Sequence, residues 1–328
     1  MQKIDLVYMW VDGSDPEWLK TKNHYLALAG METQDSPEIS GDNRWRDNDE
    51  LKYSLRSVEK NAPWINHIYI ITGFNQIPKW LNINHPKITI IPHESIFPAD
   101  ALPTFNSNAI EMCIPNIPEL SEHFLLANDD CFFFRPLKPS FFFDSYGRAI
   151  VWYGHKSKNA ITRRVHSAYI KTLILATHKI LDIFGRDYTS VCPSHNIDTY
   201  IKSSMLAAKE HPALKDYIEK TIYTKFRTEH DAQRWVFNLY DNIHGRNVLK
   251  RVRNKKLAKH WIYNLIYRKR FSDSPVYYTN LAQSNIMSVK PSLFCVNDTE
   301  NSTAEIRRNN HEILEKLFPN KSSFEKHV

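Results

Sequence analysis

A chain of 328 residues, 42% hydrophobic and 24% charged, holds enough apolar material for one large domain or a domain with an embedded subdomain, which excludes a disordered chain. Its eight glycines form neither a Walker loop nor a GxGxxG fingerprint, so any phosphate must be held by other means. The net charge of +7 and a pI near 9.0 suit an anionic partner, whether nucleotide, phosphorylated glycan, lipid surface or nucleic acid, without choosing among them.

Residues 1–11 carry a short apolar stretch broken by Asp5 and followed by Asp12, unlike the continuous core of a signal peptide. Apolar runs at 5–11, 67–72, 87–92 and 123–127 read as buried strands. Between the first two lies an expected helix over 49–61, with Leu51, Leu55 and Val58 at helical spacing, Asp47 as cap, Glu50 three residues on and Pro63 beyond the end. This alternation argues for a mostly parallel, layered α/β sheet. From about residue 161 the pattern turns helical and basic, with helices expected over 161–184, 198–209, 229–242 and 246–270, before 293–296 returns as a short strand. Three units follow: an α/β core over 1–160, a helical, basic subdomain over 161–290, and a strand and helix over 291–328 that rejoin the core. The most apolar long stretch, 165–185, contains Lys171, His178, Lys179 and Asp182 and is too polar to span a bilayer, so the reading is a cytoplasmic protein. Cys113, Cys131, Cys192 and Cys295 lie far apart with no zinc-type spacing and read as reduced thiols.

The strongest local signal for chemistry is the apolar run 124–127 ending abruptly in Asn128, Asp129 and Asp130. Ligands of open α/β sheets gather at the carboxyl ends of strands, and paired carboxylates there suit a hard divalent cation bridging phosphate oxygens. An acidic turn that merely caps a strand has the same composition. Residues 7–16 (VYMWVDGSDP) are a second strand running into a polar turn at Asp12. Arg44 and Arg46 stand just before the 49–61 helix, where guanidinium forks and helix N–H groups both favour phosphate, although a surface salt-bridge cluster reads the same way. Asn106 and Asn108 either offer amides to a sugar or nucleotide or cap the next helix.

Several blocks together resemble the Stealth family of capsular and exopolysaccharide phosphotransferases, whose animal relatives include the GlcNAc-1-phosphotransferase that tags lysosomal enzymes. They are 8–16 (YMWVDGSDP), 46–57 (RDNDELKYSLRS), 102–107 (LPTFNS) and 128–130 (NDD). The resemblance resumes at Ser194-His195, Phe226-Arg227, 231–233 (DAQ), 294–298 (FCVND) and 318–325 (FPNKSSFE). Long blocks in the right order are far more specific than any one of them. After His195 many members carry a proline two residues on, where this chain has Ile197.

The resemblance implies a glycosyltransferase A-like nucleotide-binding sheet with a helical subdomain on the acceptor side. It also implies transfer of sugar 1-phosphate from a UDP-sugar to a hydroxyl of a glycan or lipid-linked oligosaccharide, with release of UMP. Such chemistry needs Mg²⁺ or Mn²⁺, positive groups for the leaving charge and a base beside the acceptor. Asp129, Asp130 and Asp298 are the expected metal ligands. His195 is the expected base, Arg227 the phosphate fork, and Asp130 a third catalytic group. Asp12, Arg44, Arg46, Asn106 and Asn108 are expected to bind the donor. An ordinary glycosyltransferase releasing UDP would use the same acidic strand end. A nucleic-acid-binding protein is not expected, because acidic clusters at the strand ends would repel a polyanion. The basic 246–270 segment, with Leu257, Trp261 and Leu265 every four residues, suits peripheral contact with an anionic membrane as well as core packing.

Overall fold

The computed structural model describes residues 2–31, 44–155, 168–189, 191–252, 276–278, 286–299 and 301–326. Four parallel strands form its centre: β1 (Ile4–Met9), β2 (Ile68–Thr72), β3 (Ile88–Pro92) and β4 (His123–Asn128). In β1 and β2 almost every position is buried, regardless of strand parity, because layers cover both faces of the sheet. Helix α1 (Pro16–Leu28) follows the β1 turn, with the Asp15 carboxylate accepting from Trp18 N at 2.8 Å, and α2 (Glu50–Asn61) precedes β2. The short α3 (Ser107–Cys113) leads towards β4.

The sheet order is β3-β2-β1-β4-β8, where β8 (Asp198–Ile201) runs antiparallel to β4 with Asp198 opposite Leu126. A second sheet begins at β5 (Cys131–Phe133), which turns straight back from the end of β4. Polar side chains on one face of α2 hold β5: Ser54 Oγ donates to Cys131 O at 2.5 Å, Phe133 N donates to Ser57 Oγ at 3.0 Å, and Asn61 Nδ2 donates to Phe133 O at 2.7 Å. Their burial leaves no backbone group of that edge unpaired at these points.

A third sheet is built from β6 (Ala149–His155), β7 (Val191–Pro193) and β9 (Asn247–Arg251). The helices of this half are α4 (Ala168–Phe184), α5 (Lys202–Glu210), α6 (Pro212–Ile222) and α7 (Trp235–Ile243), of which α7 packs against β9 and α4 against α7. Beyond come β10 (Val276–Tyr278), the single turn α8 (Ile286–Val289), β11 (Leu293–Val296) and α9 (Ala304–Leu317). The tail is clamped to the core by Arg56, whose Nε and Nη2 fork onto the two oxygens of Glu325 at 2.8 and 2.9 Å while Nη1 reaches Phe318 O at 2.8 Å.

The expected α/β class is the observed one, and the strands at 5–11, 67–72, 87–92, 123–127 and 293–296 appear within two residues of their expected limits. Four expectations change. Residues 198–201 of the expected 198–209 helix are β8, because pairing with β4 buries all four side chains. Residues 247–251 of the expected 246–270 helix are β9, drawn into parallel pairing with β6, and 253–275 lie outside the described residues. The helix expected from 229 begins only at Trp235. Helix α2 is entered through Asp49 in the left-handed region (φ 65°) rather than through an Asp47 cap; Asp47 Oδ1 accepts from Asp49 N, and Glu50 accepts from Asn48 N at 2.6 Å. No helix among the described residues is long and apolar enough to cross a membrane.

Candidate active site

The chain leaves β1 for β2 and β3 on one side and returns through β4 on the other, so the switch point of the sheet lies between β1 and β4. A crevice forms outside the carboxyl ends of strands at such a point. Both strand ends are polar here. At β1, the Gln76 amide clamps the Asp12 backbone, accepting from its N–H and donating to its carbonyl, both at 2.9 Å. The Asp12 carboxylate in turn accepts from Ser14 N and Oγ. Gly13 N donates to Trp45 O at 2.8 Å, and a Cβ at Gly13 would stand 2.4 Å from that oxygen, so only glycine lets the β1 turn meet the approach to α2.

At β4, burial drives the Asp129 carboxyl well above the usual carboxylate range, and the negative charges of Asp130, Glu50 and Asp47 push it further. Glu50 is raised by burial to about 7 although Asn48 hydrogen bonds hold it down. Asp47 is raised by burial to about 6, with Asp49 and Asp12 adding repulsion. Acids from three separate segments therefore crowd one poorly solvated space, the chemistry a hard divalent cation relieves. Asp47 and Glu50 were legible in sequence only as helix-entry residues.

Asp298 stands differently. Its carboxylate accepts from Arg307 Nε at 2.9 Å and from Arg46 Nη1 at 3.2 Å, so two guanidiniums already balance its charge. Among the described residues, the group of metal-ligating side chains that converges is instead Asp130, His195 and Cys295, with donor atoms within 4.8 Å of one another.

His195 reaches the crevice on the segment before β8, whose antiparallel course delivers its start to the end of β4. Asn128 Nδ2 and His195 Nε2 are 3.5 Å apart. Burial lowers the imidazole from its ordinary value, Arg234 and Arg227 lower it further, and Asp130 opposes them, so the ring is neutral near pH 7 and able to accept a proton. Arg234, absent from the residues read in sequence, is fully enclosed and paired with Glu111 at 3.1 Å and Asp198 at 3.0 Å. Its only sequence signal is its place directly after the 231–233 block (DAQ).

Arg227 Nη2 donates to Ser107 Oγ at 2.6 Å, at the amino end of α3. Asn106 and Asn108 are both buried and turn their amides onto Asp231 at 2.7 and 3.2 Å; Asp231 also accepts from Thr228 N at 3.0 Å. They thereby fix the loop that carries Arg227. Arg44 lies with its guanidinium 5.8 Å from the Trp45 ring, on the same approach to α2 as Arg46. Phe74 and Asn75, at the end of β2, both take positive φ (56° and 54°), rare for a bulky residue, and the Phe74 ring stacks 6.1 Å from Phe105.

Acids, a histidine and arginines thus line a crevice at the switch point of an α/β sheet, where such sheets hold ligands, and relatives named phosphotransferases make the protein an enzyme of the transferase class. Residues 2–28 match the family model described as Stealth protein CR1, conserved region 1, and 44–151 match Stealth protein CR2, conserved region 2. A capsular polysaccharide phosphotransferase of Streptococcus pneumoniae is 30% identical over 99% of this chain and 100% of its own length. One of Neisseria meningitidis is 32% identical over 90% of this chain and 77% of its own. A galactosyltransferase crystallised with donor and acceptor sugar analogs superposes with a TM-score of 0.45 at 12% identity, covering 98% of this chain and 97% of that one. The chain belongs to the Stealth family.

Proposed function

We propose that this enzyme transfers sugar 1-phosphate from a UDP-sugar to a hydroxyl of an acceptor glycan in bacterial capsule or exopolysaccharide synthesis, releasing UMP. The observation that carries this reading is the meeting, at one strand end, of the Asp129–Asp130 pair, a neutral His195 and the Arg227 loop. The names of the relatives point the same way.

In this reading the acceptor hydroxyl attacks the phosphorus nearest the donor sugar, the bond from that phosphorus to the bridging oxygen breaks, and the sugar C1 to oxygen bond is untouched. Anomeric configuration is retained. His195 takes the hydroxyl proton, its lone pair kept available by burial and, after it, by the arginines that oppose protonation. Arg227 forks onto phosphate, with Ser107 orienting it. Asp129 with Asp130 holds Mg²⁺ or Mn²⁺, which neutralises pyrophosphate charge when bound. Asp298 orders Arg46 and Arg307 beside the crevice and joins the cation only if those pairs open. Asp12, Arg44 and Arg46 face the donor side, and Asn106 and Asn108 act on it by holding the Arg227 loop. The stretch 161–290 takes the acceptor, and the basic residues of 246–270 touch an anionic membrane where that acceptor is lipid-linked.

Incubation with a panel of UDP-sugars and acceptor glycans tests the chemistry. UMP should appear in step with a phosphorus-containing glycan, and release of UDP with a phosphorus-free product would show ordinary glycosyl transfer. Vesicle sedimentation tests the membrane contact. Changing Lys255, Lys256 and Lys259 to Gln should free the protein from anionic vesicles, and equal pelleting of mutant and wild type removes that role.

A further inference from the structure

Strand β11 runs antiparallel to β5 with Cys295 directly opposite Cys131, and Val296 N donates to Asp130 O at 2.9 Å. This pairing closes β11 onto the residue that ends the acidic triplet. As a result Cys295 Sγ stands 3.2 Å from Asp130 Oδ2, and Cys131 Sγ stands 3.5 Å from Oδ1. His195 arrives from the opposite edge, ahead of β8. One oxygen, one ring nitrogen and one sulfur then lie within 4.8 Å of one another.

A tetrahedral zinc ion, with Zn–S near 2.3 Å and Zn–N or Zn–O near 2.0–2.1 Å, sets its ligand atoms about 3.3–3.6 Å apart. The Asp130–Cys295 edge, at 3.2 Å, is close to that length, and drawing in the remaining edges takes roughly 1 Å of side-chain movement. The donor types decide the ion. Magnesium demands oxygen and avoids sulfur, whereas a carboxylate, an imidazole and a thiolate together suit zinc and its thiophilic neighbours. Three protein ligands leave a fourth position for water or a substrate oxygen.

We infer that Asp130, His195 and Cys295 form a binding site for a thiophilic divalent ion, zinc above all, and that filling it silences the transferase. The site shares Asp130 with the all-oxygen group around Asp129 but adds a nitrogen and a sulfur donor that the group lacks. Binding replaces the Cys295 S–H bond with a sulfur–metal bond and releases that proton to solvent, with no change of oxidation state. It also occupies the lone pair with which His195 would take the acceptor proton; this silencing, unlike the binding, rests on the functional reading above.

The test is a titration of the metal-free full chain with Co²⁺, a coloured stand-in for zinc. A thiolate-to-cobalt charge-transfer band should rise to one equivalent and be bleached by Zn²⁺. Cys295→Ser should lose the band, and His195→Ala, at a less enclosed position, should weaken cobalt affinity by at least about tenfold. Cys113→Ser, whose thiol lies elsewhere in the core, should keep it. Circular dichroism separates a lost ligand from a lost fold. Absence of the band in folded wild type, or an unchanged titration in both His195→Ala and a folded Cys295→Ser, overturns the site. Chelator-reversible loss of turnover on adding Zn²⁺ over excess Mg²⁺ is the second expectation, and turnover indifferent to bound zinc overturns the silencing alone. A chain that binds cobalt as described but transfers no phosphate refutes the functional reading and leaves the metal site standing.

Discussion

Arg234 is joined to His195 through Asn128: the guanidinium Nη1 lies 3.4 Å from Asn128 Oδ1, and the same amide meets the imidazole with its nitrogen. The arginine is also the shared partner of two enclosed carboxylates, Glu111 and Asp198, and its charge opposes the burial that lifts Asp198 to about 7. Arg234 thus reaches the proposed base through Asn128 and, after burial, helps to lower its proton affinity.

Replacing Arg234 by Gln together with Asp198 by Asn and Glu111 by Gln removes the buried cation with both of its enclosed carboxylates, which avoids stranding a lone ion in the core. His195 then loses a positive neighbour that lowers its pKa, so that pKa rises. The acidic limb of the kcat against pH profile should move to higher pH, with kcat at its plateau down by about tenfold or more. A profile with an unmoved limb would reduce Arg234 to a packing residue.

Burial and the acidic neighbours raise the Asp129 carboxyl, so Asp129→Asn removes a charge that its surroundings disfavour when no cation is present. The variant should fold with nearly wild-type stability in the absence of cation. Wild type should gain about 2.7 kcal/mol of stability at Mg²⁺ one hundredfold above its dissociation constant, and the variant should gain almost none. Differential scanning calorimetry with and without Mg²⁺ reads both numbers. Equal Mg²⁺ stabilisation of the two proteins would move the cation away from Asp129.

The Arg56–Glu325 fork ties the tail to α2. Burial acts to raise the Glu325 carboxyl, but Arg56 and the Ser322 backbone outweigh it and leave it lowered. The folded state therefore binds this proton less readily than the unfolded chain, and the stability it lends is present above the unfolded pKa and lost as the pH falls through the folded one. Glu325→Gln leaves a buried guanidinium half-partnered and should cost about 3 kcal/mol at pH 7. The cost should shrink below pH 4, and urea melts at the two pH values decide it.

The parallel strands were legible because runs such as 68–71 are apolar at every position, which only a doubly covered strand or a buried helix needs, and such a run is too short for the helix. Residues 198–201 carried no such mark. Asp-Thr-Tyr-Ile flows without a turn into the helix formers of α5, and only the exposed edge of β4 makes it a strand. The basic run at 247–251 failed for the same reason, its pairing partner lying about a hundred residues upstream in β6. In the crevice, Asp129 and Asp130 announced themselves by ending an apolar run. Cys295 did not, being 165 positions from Asp130 and resembling any core thiol until β11 is laid against β5. Arg234 was hidden likewise, since a cation balanced by two distant acids has no local pattern.

The reversed direction of β8 places His195 opposite the acidic triplet by sheet register, not by nearness along the chain. The span from β5 to β7 is itself tied into that register, because β6 pairs with β7 and β9 and Thr199 of β8 donates to Ile150 O at 2.9 Å. The place of the imidazole therefore depends on residues far from it in the chain, and any change that spares these pairings, with Asp198 still meeting Leu126, leaves it facing the acids.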